Sequence, residues 1–245
     1  MSLFSGFNTS NDIAGEKDSV GGGFVLDSNV YLATVKLAYG TQSASQATAL
    51  NLVLETEDGK EIRQQLWVSS GKEKGCVNYY TDKEGNKQYL PGFNMANSLC
   101  LLTVGKELAQ VESETKVVNV YNKDAKAEVP TNVPMLMELL GKQVLVGLIK
   151  QTVDKNVKDA TGAYVPSGET RDENEIDKFF RERDSKTTAE ILAQTEEAVF
   201  INTWKDKWVG KVKDKTSKQA GTAGAPKAGT APAGGTAKPT NSLFG

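Results

Sequence analysis

The sequence predicts a mainly β fold with α additions: a small closed barrel of five short strands carrying a C-terminal helical appendage. Three observations predict it. Apolar residues alternate with period two through the first third of the chain, an Asp-Gly turn joins two such segments, and no regular strand–helix–strand alternation follows. The 245 residues, 38% hydrophobic, suffice for one or two domains with an ordinary core.

Residues 1–23 are polar and end in Gly21-Gly22-Gly23, which predicts a flexible N-terminal arm bearing Leu3, Phe4 and Phe7 as apolar beads. The barrel core is expected over 24–153. In Val30–Tyr39, alternation places Tyr31, Ala33, Val35, Leu37 and Tyr39 on one face. Leu50, Leu52 and Leu54 repeat the pattern, and Asp58-Gly59 turns the chain into a return strand with Ile62, Leu66 and Val68 inward. Arg63, Gln65 and Trp67 then share the opposite face, where they either display to a ligand or pack under a later helix. Asn94–Val104 suits a helix or a buried strand, and its length does not decide. Thr115–Tyr121 reads as a strand, Pro134 with MLMELLG as a helical turn stopped by Gly141, and Gln143–Val153 as a central strand.

Residues 154–212 form the expected appendage: a hairpin turning at Asp159–Gly162, then helices over Asn174–Arg183 and Thr188–Val209. Thr187 and Glu190 make a capping-box pattern, and Leu192, Phe200, Trp204 and Trp208 form the docking face of the second helix. Residues 213–245 are the tail. From Thr216 it is Ala/Gly/Pro/Thr-rich, too poor in apolar surface to fold, and its tip is Leu243-Phe244-Gly245. A Leu-Phe pair on a free tether suits capture by a partner protein through its side chains and terminal carboxylate.

Composition narrows the function. The chain has no histidine and two cysteines, so Ser-His and Cys-His nucleophile pairs are absent and no ordinary structural zinc set can be assembled. Cys76 and Cys100 are expected to be free thiols, and no cofactor or metal is expected. No apolar run is long enough to span a membrane and no signal-peptide pattern opens the chain. Ser69–Gly75 lacks P-loop spacing, and Asp82, Glu84 and Asn86 lack the glycine and distal glutamate of a calcium loop. The acids from Arg171 to Asp177 fit a helix start, though they leave a carboxylate-dependent nuclease formally open. Net charge is −2; residues 216–245 carry three lysines and no acid, which leaves −5 on the remainder. A nucleic-acid groove would therefore be a local patch on an acidic body.

That patch is expected between Glu61 and Cys100. Trp67, Tyr79, Tyr80 and Tyr89 are interleaved with Arg63, Lys72, Lys74, Lys83 and Lys87, so rings can stack bases while cations follow phosphates. In a strand, Tyr79 and Tyr80 must face opposite ways, which makes one of them a candidate core residue. A barrel, an aromatic/basic surface and an apolar-tipped tail are the layout of a single-stranded-DNA-binding protein on an OB-type fold.

The runs NYYTDKEGNKQYLPGFNMANSLCLLTVGKEL, KVVNVYNKDAKAEVPTNVPMLMELLGKQVLVGLIKQTVDKN and SGETRDENEIDKFF, with the terminal NSLFG, resemble phage-encoded single-stranded-DNA-binding proteins of lytic tailed bacteriophages. The resemblance spans roughly residues 1–212 and the tip. It implies an OB-fold core, no catalysis, action in phage replication and recombination in the host bacterial cytoplasm, and recruitment of replication or recombination proteins through Leu243, Phe244 and Gly245. Some relatives also assist host RNA polymerase at late promoters. That makes a transcription adaptor working through the two Ser-Leu-Phe termini the alternative reading. The tail departs from the common acidic pattern, having lysines and no acid, so electrostatic self-inhibition by it is not expected.

Overall fold

Apolar alternation builds the first three strands as an antiparallel meander: β1 (Asn29–Gln42), β2 (Thr48–Thr56) and β3 (Glu61–Trp67). Gly59 takes φ +76 at the β2–β3 turn, a conformation open to glycine at little cost. Leu50, Leu52, Leu54, Ile62 and Leu66 all face the core. β1 departs from simple alternation. A bulge between Val35 and Leu37 moves Ala38 inward, so Leu37 and Tyr39 do not share the face of Ala33 and Val35. A computed structural model describes residues 25–122 and 125–217, and the predicted arm over 1–23 and most of the 213–245 tail, including Leu243, Phe244 and Gly245, lie outside them.

On its other side β1 pairs with β8 (Gln143–Lys158), which continues into β9 (Tyr164–Phe180). The β8–β9 turn lies where Asp159–Gly162 predicts it, with Asp159 Oδ1 accepting from the Thr161 and Ala163 N–H groups. β8 runs on through residues 153 and 154, where the core was expected to give way to the appendage. A second hairpin, β6 (Glu114–Asn122) with β7 (Ala127–Met135), joins β1 at Tyr39 opposite Met135. The last strand, β10 (Val212–Asp214), lies parallel on Lys150–Thr152 of β8.

The path β3-β2-β1-β8-β9 brings β3 and β9 to its two ends, running in the same direction. No backbone ladder joins them, so the sheet is large and open rather than the closed barrel expected. One side chain crosses the gap. Gln64 Nε2 donates to the Ile176 carbonyl at 3.5 Å, and Gln64 Oε1 accepts from the Ile176 N–H at 2.6 Å.

Asn94–Val104 resolves as a helix, α1 (Pro91–Val104). Pro91 at its first position needs no N–H partner and has φ pre-set, which starts the helix there. Ala96, Leu99, Cys100 and Leu102 enter the core, and burial pushes the Cys100 thiol up to about 12. Cys76 is exposed, and both thiols are free.

The C-terminal helices differ most from expectation. Asn174–Arg183 is not helical: Asn174–Phe180 is the second half of β9, and its Ile176, Phe179 and Phe180 are buried. Pairing with Leu145–Lys150 supplies the ladder and the core contacts, and this tertiary gain overrides local preference. Thr188–Val209 is two short helices, α2 (Thr188–Leu192) and α3 (Phe200–Trp208). Leu192, 81% exposed, is outside the docking face, whereas Trp204 is buried against Phe180 with ring centroids 6.4 Å apart. The turn expected after Pro134 begins later. Pro134 is still in β7, and a single 3-10 turn covers Met137–Leu139.

Glu190 explains the break between α2 and α3. Its Oε2 accepts from the Thr187 N–H at 2.8 Å, completing the capping box of α2. Its Oε1 accepts from the Val199 and Phe200 N–H groups, each at 2.8 Å, where α3 begins. Burial pushes the Glu190 carboxyl up, but hydrogen bonds from Thr187, Phe200 and Val199 outweigh it and hold the group below the usual range. A depressed folded value adds stability above the ordinary glutamate value, lost as pH falls through the folded one. Glu190→Ala is therefore expected to cost about 2–3 kcal/mol at neutral pH, with the difference from wild type shrinking below about pH 5. Urea denaturation across pH checks this, and a pH-independent difference would contradict the charge-assisted cap.

Candidate nucleic-acid interface

A groove of about 1370 Å³ opens beside the end of β3. Its walls come from β3, the loop after it, a small hairpin of β4 (Tyr79–Thr81) and β5 (Lys87–Tyr89), the start of α1, and the β9 and β10 strands. The hairpin turn is local chemistry. Asp82 Oδ1 accepts from the Glu84 N–H at 3.0 Å and the Asn86 N–H at 2.8 Å, and Gly85 adopts φ +88. Ser70 then ties the hairpin to the loop, donating its N–H to the Val77 carbonyl while its hydroxyl accepts from the Val77 N–H. The Lys72 N–H donates to the Ser45 carbonyl at 2.7 Å, which holds the lysine loop against the β1–β2 turn.

Four rings meet here. Trp67, Tyr79, Tyr80 and Tyr89 all line the groove, and Trp67, Tyr80 and Tyr89 are 43%, 48% and 57% exposed. Tyr79 stands opposite Tyr89 in the two-stranded ladder and is half-buried, with Lys87 Nζ 4.6 Å from its ring centroid. Tyr80, the next residue along β4, also borders the groove and is the more exposed of the two. Tyr89 is steadied by Phe93, with ring centroids 5.1 Å apart.

The cations divide. Lys74 lines the groove with the rings; Lys72, Lys83 and Lys87 are exposed on the adjoining loop and hairpin but outside the lining. Arg63 stands apart, on the exposed face of β3 and bonded to Glu61 at 2.8 Å. The hydrogen bond from Arg63 to Glu61 raises the guanidinium's already high pKa, and part of that cation's field is thus spent locally on a surface pair.

Sequence reasoning missed the opposite wall. Glu175 and Asp177 of β9 and Lys213 of β10 line the groove, so its charged lining is Lys74 and Lys213 against Glu73, Glu175 and Asp177. Asp177 Oδ2 accepts the Trp204 indole N–H at 2.7 Å, and Glu175 accepts from Lys213 at 3.2 Å and Lys215 at 2.9 Å. Burial pushes the Glu175 carboxyl up, but hydrogen bonds from Lys215 and Lys213 outweigh it and keep the group below the usual range. The available signal was complementary charge between the acidic 171–177 run and the lysines at 211–215.

Exposed rings lining one groove, with lysines among its mixed charged lining and on the adjoining loops, can stack planar bases and leave phosphates toward solvent. Among the described residues no group of three or more metal-ligating side chains occurs, and no helix is long and apolar enough to cross a membrane. The chain matches no protein-family model, and no curated protein matches it.

Proposed function

We propose that this protein binds single-stranded DNA without sequence specificity, covering and organising it during phage replication and recombination, and that it performs no catalysis. The observation that carries the reading is the convergence of Trp67, Tyr79, Tyr80 and Tyr89, from β3, β4 and β5, on one groove. Their exposed faces are suited to bases, and stacking tolerates any base because every base has a π-face. The strand path supports an OB-type body. Five strands in the order β3-β2-β1-β8-β9, with α1 between the third and fourth in sequence and like-directed end strands side by side, fit a partly open five-stranded barrel of that type. The terminal Leu243, Phe244 and Gly245 are proposed to recruit replication or recombination partners.

The test is fluorescence anisotropy with labelled oligo-dT and its duplex counterpart at two salt concentrations. The single strand is expected to bind more tightly than the duplex, and less tightly at the higher salt because counterions are released on binding. No binding of the single strand at low salt would refute the proposal.

A further inference from the structure

Where β10 meets β9 at the groove wall, two lysines share one carboxylate. Lys215 Nζ reaches both oxygens of Glu175, at 2.9 and 3.0 Å, and so neutralises it alone. Lys213 Nζ adds a third contact at 3.2 Å to one of the same oxygens. Two ammonium groups thus share one carboxylate, while Asp177 on the same wall takes the Trp204 indole N–H, and of the two lysines only Lys213 lines the groove. Its backbone is fixed by parallel pairing of Val212, Lys213 and Asp214 with Lys150, Gln151 and Thr152. The lysine can therefore change partner by side-chain rotation alone.

We propose that Lys213 is a phosphate-binding residue of the groove: it leaves Glu175 for a phosphate of the bound strand, while Lys215 stays and keeps Glu175 neutralised. The inference rests on the single-stranded-DNA reading above and adds to it a ligand from far outside the aromatic stretch. Glu175 acts as a positioning residue, holding Lys213 at the wall and competing with phosphate for it.

The experiment is a salt series of oligo-dT titrations on the full chain, comparing wild type with Lys213→Gln, Lys213→Arg and Glu175→Gln. Losing one phosphate contact is expected to reduce the slope of log affinity against log salt by about 0.7, with binding about three- to tenfold weaker at low salt. Lys213→Arg is expected to keep the wild-type slope, and Glu175→Gln to tighten binding by removing the competitor. The slope counts phosphates contacted, and recovery of the wild-type slope by Lys213→Arg separates a lost cation from a distorted groove. A wild-type slope and affinity in Lys213→Gln would overturn the inference and leave the single-strand reading standing. Failure of the wild-type protein to bind oligo-dT would overturn both.

Discussion

Trp67→Ala combined with Tyr89→Ala is expected to weaken oligo-dT binding by about 2–6 kcal/mol, from roughly thirtyfold to more than ten-thousandfold, taking 1–3 kcal/mol for each stacked base. The rings come from different strands and differ in their neighbours: Trp67 ends β3, while Tyr89 is braced by Phe93 on α1. Their losses should be close to additive unless one base spans both. Both side chains are more than 40% exposed, so the variant is expected to fold, and an unchanged thermal midpoint would show that it has. Anisotropy titration of the two single variants and the double gives the measurement. Wild-type affinity in the double variant would remove stacking at this groove from the mechanism.

Gly92→Ala is expected to destabilise the protein by about 3 kcal/mol, the upper range for a forced overpacking. A Cβ at Gly92 would lie 2.3 Å from the Trp67 carbonyl oxygen and 2.7 Å from its amide nitrogen. Those are backbone atoms, and rotamer changes cannot move them aside. Relief requires the first turn of α1 to retreat from the end of β3, which also widens the groove that both elements frame. The denaturation midpoint should fall, and oligo-dT affinity should fall with it when measured under conditions where the variant remains folded. A midpoint equal to wild type would mean that α1 does not sit against β3 as closely as described.

What could be read in the chain was local. Leu50, Leu52, Leu54, Ile62 and Leu66 declare their inward face within a few residues of one another, and Asp58-Gly59 declares the turn between them. Tyr79, Tyr80 and Tyr89 lie close in sequence to Trp67, so their meeting at one groove followed from a single hairpin and one helix start. What could not be read was the product of pairing across long separations. Residues 174–180 carry a pattern acceptable to a helix, and only β8 makes them a strand. Glu175 and Lys213 reach the groove because β9 and β10 are both laid on β8, a fact no short window contains. The bulge that turns Ala38 inward has no residue signature in β1 itself. The 188–209 segment had its capping box in plain view, yet the second use of Glu190, at the start of α3, depends on the chain folding back.

Gln64 carries a consequence for strand addition at the seam between β3 and β9. A strand with unpaired amides and carbonyls is a template onto which a neighbour can add its own, the first step toward edge-to-edge association and fibres. Here the two terminal strands of the sheet turn toward each other, and the Gln64 amide satisfies both the N–H and the carbonyl of Ile176 in the C-terminal half of β9. An intruding strand would have to displace that paired amide before it could register with β9. A single primary amide thus obstructs strand addition at the seam without sealing it.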